Sequence, residues 1–145
     1  MEYYTDIYIS PMLLDRITAY ASGTYPLECC GMLLGKTDSS GRVIISDIRN
    51  VQNRAKSFAR AYFEIDPLKV YQAEQECKEK GTDIVGFYHS HPDKMAILSE
   101  KDKKGMVPGM LYMILSVTGS GCIETNAFVL EFQGEIRTVK IIRLQ

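Results

Sequence analysis

His89-Ser90-His91-Pro92 contains both histidines of the chain, set one residue apart. In an extended strand alternate side chains share a face, so both imidazoles can reach one ion. Ser99-Glu100-Lys101-Asp102 follows, and Asp102 can add a carboxylate oxygen from a nearby turn. Two neutral imidazoles and a carboxylate suit zinc. Three protein ligands leave a fourth position for water or substrate, as catalytic zinc sites do; such an ion acidifies water toward a pKa of about 7 and polarises a carbonyl. The same residues have plainer uses. Two His on one strand face can form a polar pair or bond a loop, and Ser99 with Asp102 has the spacing of a helix capping box, although Glu or Gln is the usual third-position partner. The two readings overlap, since a Ser that starts a helix can also hold the Asp in place.

The elements that must position these residues read as alternating strands and helices. Tyr4 to Ile9 has the pattern of a strand, and Ser10-Pro11 that of a helix start. Leu14, Ile17 and Ala21 then form a stripe that Gly23 can end. Cys30 to Gly35 and Arg42 to Asn50 read as strands joined by a polar turn from Lys36 to Gly41. Val51 to Ala61 has no period and reads as a mobile surface loop, with Phe58 and Arg60 as candidate substrate contacts. Tyr62 to Ile65 is a short strand. Asp66-Pro67 repeats the cap-plus-proline signal before Val70, Ala73 and Cys77, and Gly81 closes that helix. Asp83 to His91 is the strand that carries the histidines, and Ser99 to Lys104 forms a short helix after it. Beyond Pro108-Gly109, strands follow at Leu111 to Val117, Ile123 to Phe132 and Glu135 to Leu144. The histidines therefore stand at the C-terminal end of a strand, where open α/β sheets commonly bind ligands.

The chain has 145 residues, enough for one domain with one core, and no linker, repeat or low-complexity segment divides 1–145. Its 17 basic and 18 acidic residues nearly cancel, and no block of like charge suggests a nucleic-acid surface. Apolar residues make up 46%, yet no run approaches the roughly 18 residues needed to cross a bilayer. Met-Glu-Tyr-Tyr-Thr-Asp lacks the basic and apolar regions of a secretory signal, so a soluble cytoplasmic protein is expected. Cys29, Cys30, Cys77 and Cys122 show no CxxC spacing and read as reduced packing residues. Neighbours Cys29 and Cys30 point to opposite sides of a regular strand and do not share a metal.

Zinc-activated water needs a proton acceptor, and no HExxH supplies one here. Pro26-Leu27-Glu28-Cys29-Cys30-Gly31-Met32-Leu33-Leu34-Gly35, then His89-Ser90-His91-Pro92, seven residues between His91 and Ser99, and Ser99-Glu100-Lys101-Asp102 together closely resemble the JAMM metalloproteases, also called the MPN-plus family. Phe63-Glu64-Ile65-Asp66-Pro67 and Ile84-Val85-Gly86-Phe87-Tyr88 extend the likeness to most of the chain. The resemblance implies a cytidine-deaminase-like α/β three-layer sandwich, with a mixed central sheet and flanking helices, that carries a zinc-dependent peptidase or isopeptidase site. It implies His89, His91 and Asp102 as ligands of one zinc ion and Glu28 as the general acid/base. It implies Ser99 as a hydrogen-bond donor to the oxyanion. Without the likeness Glu28 would be an ordinary carboxylate before a strand.

The chain departs from the family between His91 and Ser99, where Met95 and Leu98 stand at positions that many members fill with proline. It also lacks the long insertions of eukaryotic deubiquitinating relatives and resembles the compact prokaryotic type. Those relatives act on ubiquitin-like or sulfur-carrier proteins with Gly-Gly tails, and glycines let a backbone pass through a narrow groove close to the metal. The expected activity is hydrolysis of the bond after such a tail. The alternatives are a non-catalytic module that binds ubiquitin-like tails and an amidohydrolase for another peptide, such as a cell-wall peptide. No nucleic-acid or membrane partner is expected, and the sequence assigns no oligomeric state.

Overall fold

Ser10 joins the first strand directly to the first helix. In this computed structural model, which describes residues 6–53 and 65–144, β1 (Asp6–Ile9) leads through Ser10 into α1 (Pro11–Thr24). The Ser10 side chain accepts the Leu13 amide, and Pro11 sits where a helix has no use for an N–H. β2 (Cys30–Thr37) and β3 (Val43–Val51) form a hairpin. α2 (Pro67–Lys80) starts at the Asp66 cap and ends at Gly81, whose positive φ of 71° favours glycine. β4 (Asp83–Pro92), α3 (Glu100–Gly105), β5 (Leu111–Thr118), β6 (Gly121–Leu130) and β7 (Ile136–Arg143) complete the order.

The sheet runs β1-β3-β2-β4-β5-β6-β7 and curls until it closes, because β1 pairs in parallel with both β3 and β7. β4 and β5 are also parallel, while the other neighbours are antiparallel. On one face, Leu13, Leu14, Ile17 and Ala21 of α1 join Ile7, Ile9, Leu33, Tyr88, Met113 and Leu115 in the main core. On the other, Ala73 and Cys77 of α2 pack with Cys30, Met32 and Leu34. Beside them Ala96, Leu98 and Met106 cover Tyr112 and Ile114. The result is the expected α/β sandwich, a mixed sheet between helices.

Two irregularities break the simple alternation. β4 holds an extra residue, Val85, between Ile84 opposite Leu34 and Gly86 opposite Leu33. β3 does the same near Ser46. Such bulges shift which side chains face which layer. Gly86 lies so close to the next strand that an added Cβ would sit 2.4 Å from the Leu111 carbonyl oxygen.

Several element bounds differ from expectation. Gly23 lies inside α1, which continues to Thr24 and is capped by Tyr25: a single Gly costs only about 1 kcal/mol in a helix, less than the packing around it supplies. β2 runs two residues past Gly35, since pairing with Val43 and Ile44 holds Thr37 and Lys36. Val51 belongs to β3, opposite Cys30, rather than to a loop, and Ile65 precedes α2 outside any strand. The rest of the expected loop from 54, with Phe58 and Arg60, and residues 62–64 of the expected strand lie outside the described residues. No helix among the described residues is long and apolar enough to cross a membrane.

Candidate metal centre

Beyond the β4 bulge, Tyr88 faces the α1 core while Phe87 faces the opposite layers. Alternation then sends His89 and His91 to the side of Phe87 and Ser90 to the α1 side. The two imidazoles stand 5.0 Å apart between ring centroids, and their Nε2 atoms are separated by 3.2 Å. Asp102 reaches both rings, with Oδ1 3.2 Å from His89 Nε2 and Oδ2 3.1 Å from His91 Nε2. His89 is 1% and His91 8% exposed.

The capping box is real and serves the same cluster. Ser99 caps α3, its Oγ accepting the Asp102 amide at 3.0 Å, while the Ser99 amide donates to Asp102 Oδ2 at 2.9 Å. A six-residue helix with no buried side chain contributes little stability of its own. What it does is fix the Asp102 carboxylate against the two rings. The Ser99 hydroxyl, having accepted one bond, retains its hydrogen to donate elsewhere.

The donor set fits a zinc ion. The His91 Nδ1–H donates to the Met95 carbonyl at 3.0 Å, which leaves a lone pair on Nε2. That nitrogen faces a carboxylate oxygen at 3.1 Å and another imidazole nitrogen at 3.2 Å, an arrangement that a cation makes favourable, whether a proton on the ring or a metal ion. A tetrahedral ion bonded at about 2.0–2.1 Å separates its ligand atoms by roughly 3.3 Å, close to the Nε2–Nε2 spacing and to the distance from each Nε2 to one oxygen of Asp102. Burial lowers the His89 imidazole below its ordinary range, against the pull of Asp102. For His91 burial acts the same way, but the bonds to Asp102 and to the Met95 carbonyl outweigh it and raise the ring. Burial would raise the Asp102 carboxyl, yet its bonds with His89 and His91 prevail and hold it well below the carboxylate range.

Glu28 precedes β2 and is only 4% exposed. A ligand-type atom of its carboxylate lies within 4.8 Å of those of His89 and His91. Burial pushes the Glu28 carboxyl up to about 7; His91 opposes this and Asp102 adds to it. A cation in the cluster would bring it down again. The structure thus brings Glu28, His89, His91 and Asp102 together, with Ser99 behind Asp102. Cys29 and Cys30 fall on opposite faces, as alternation requires, in the α1 and α2 cores. All four cysteines are free thiols.

Three contributors escaped the sequence reading. Ser90 accepts the Cys29 amide at 2.8 Å, the Asn53 side-chain amide donates to the Glu28 carbonyl at 3.1 Å, and Met95 orients His91 through its backbone. None of the three left a trace in the sequence, since Ser90 faces the core only because of the β4 bulge, where its hydroxyl must find a partner.

The model of prokaryotic homologs of the JAB domain matches residues 10–130. The chain belongs to this family. The prokaryotic JAB relatives include a desampylase of Haloferax volcanii, 33% identical over 108 residues, 74% of this chain and 75% of that one. A desampylase of Pyrococcus furiosus is 32% identical over 117 residues, covering 80% and 76%. The solution structure of a protein from Desulfitobacterium hafniense superposes with a TM-score of 0.82 at 24% identity, over 96% of this chain and 93% of that one, and so shares the fold. As a prokaryotic JAB protein of the compact JAMM type, the chain is a hydrolase of the JAMM isopeptidase class.

Proposed function

We propose that residues 1–145 form one zinc-dependent JAMM domain that hydrolyses the bond after the C-terminal Gly-Gly tail of a ubiquitin-like or sulfur-carrier protein. The observation that carries this reading is the convergence of two imidazole nitrogens and the two oxygens of Asp102 at 3.1–3.2 Å beside a buried carboxylate. His89, His91 and Asp102 would hold one zinc ion. Glu28, whose carboxylate lies within 4.8 Å of an imidazole nitrogen of each histidine, would move protons rather than hold the ion. The two desampylase relatives favour a ubiquitin-like substrate, and Met95 and Ile97, 67% and 53% exposed between His91 and Ser99, offer apolar surface for a protein. The free thiols suit the reducing cytoplasm.

When bound, zinc supplies a Lewis acid for the scissile carbonyl and acidifies water. Glu28 accepts one proton of the attacking water and returns it to the departing amine as the amide C–N bond breaks, so that water and amide become a carboxylic acid and an amine, whose second proton transfer gives carboxylate and ammonium. The Ser99 hydroxyl donates to the carbonyl oxygen as that atom gains charge.

The purified protein should contain about one zinc per chain and cleave a ubiquitin-like protein fused through its Gly-Gly tail, with activity lost to a chelator. Glu28→Gln should keep the metal and lose roughly 10²–10⁴-fold in turnover. His89→Ala or Asp102→Ala should lose the metal. Full activity of the metal-depleted protein would overturn the reading.

A further inference from the structure

Glu28 lies in the irregular segment before β2, and regular pairing of that segment with β4 begins only at Cys30 opposite His89. No ladder orients its backbone. What holds it is a pair of side chains on one peptide group. The carbonyl of Glu28 receives the Asn53 amide at 3.1 Å, and the N–H of Cys29, the other half of the same plane, donates to Ser90 Oγ at 2.8 Å. The Ser90 amide then bonds the Cys29 carbonyl at 3.1 Å. Because a peptide group is rigid and planar, fixing its oxygen and its hydrogen fixes the plane from which the Glu28 Cα departs.

Ser90 is fully buried and faces the α1 core, away from the donor cluster on its own strand. It touches neither the donor atoms nor any substrate that reaches them. An apolar side chain would be the ordinary occupant of such a core-facing position, and a buried hydroxyl costs free energy unless it is bonded. Its bond to the Cys29 amide is what that position achieves in return.

We propose that Ser90 is a positioning residue for Glu28, acting with Asn53 to clamp the Glu28–Cys29 peptide so that the carboxylate stands at the donor cluster. The strand that supplies two ligands on one face thus sets the proton-transfer group from the other. The inference rests on the role of Glu28 given above. A misplacement of about 1 Å is enough to cost on the order of 10²-fold in rate.

The test compares Ser90→Ala, Ser90→Thr and Asn53→Ala by zinc content, steady-state kinetics and hydrogen exchange of the Cys29 amide, with Ser90→Ala also placed in a Glu28→Gln background. Ser90→Ala should keep its zinc, lose roughly 10–100-fold in kcat with KM within about twofold, and exchange the Cys29 amide faster. Ser90→Thr, which keeps the hydroxyl, should recover most of the turnover. In the Glu28→Gln background Ser90→Ala should cost nothing further, since both changes act through one carboxylate. Unchanged kcat in Ser90→Ala, loss of zinc along with activity, or additive losses in the double variant would each overturn the inference. Should Ser90→Ala fail to fold, Asn53→Ala decides, with the same expected loss of kcat at constant zinc. Normal turnover of Glu28→Gln alone would instead overturn the role of Glu28, an outcome separate from the Ser90 result.

Discussion

At the scale of the residue, burial governs the ionisable groups that flank the site. It pushes the Cys29 thiol up to about 11, against bonds from Ser90, and the Cys30 thiol up to about 12, with the Cys29 and Glu28 charges adding to the rise. A raised pKa means that folding favours the protonated thiol. The resulting stability is complete below the unfolded pKa near 9 and is lost as pH rises through 11 and 12. Denaturant midpoints should therefore fall between pH 9 and 11, and less so in a Cys29→Ala/Cys30→Ala variant; an equal fall in both would remove the thiols as the cause. The residues that could be read from the sequence are those whose spacing is local. His89 and His91 are two apart on a strand, and Asp102 is three from its cap. Glu28 became visible only through a family motif. Ser90 and Asn53 act on a peptide far away in the chain, and no spacing rule reports such a partner.

At the scale of the element, β4 depends on small neighbours. Gly31 pairs with Tyr88 across the β2–β4 ladder, and a Cβ there would come within 2.2 Å of the Tyr88 ring. That ring is fully buried, and its hydroxyl donates to Asn50 Oδ1, so it has nowhere to go. Gly31→Ala should cost ~1–3 kcal/mol, the range for overpacking, read as a shift in urea midpoint at constant slope. A neutral substitution would show that the ring yields. Helix starts were legible because Ser10-Pro11, Asp66-Pro67 and Ser99 with Asp102 state their chemistry locally. The bulges in β3 and β4 were not, because an extra residue is defined only against a partner strand.

At the scale of the whole molecule, closure through β1 ties the two ends of the chain into one sheet. Ile7 and Ile9, both fully buried, bring this four-residue strand into the main core between β3 and β7. Ile9→Ala should destabilise the protein by roughly 2–5 kcal/mol in denaturant melts while leaving zinc content unchanged in the folded fraction; a loss below about 0.5 kcal/mol, the range of surface changes, would mean that closure contributes little. Layer order was legible from the alternation of strands and helices, but closure was not, since a parallel β1–β7 pair joins segments that share no local signal. The extra residue at Val85 works as a frameshift within the strand. Ile84 belongs to the α2 layer and Val85 to the α1 layer, so strict alternation from there would have turned His89 and His91 into the hydrocarbon core and Ser90 out toward solvent. Insertions or deletions between Val85 and His89 should thus act as all-or-none events for this enzyme: one residue inverts the strand's two faces, whereas two restore them.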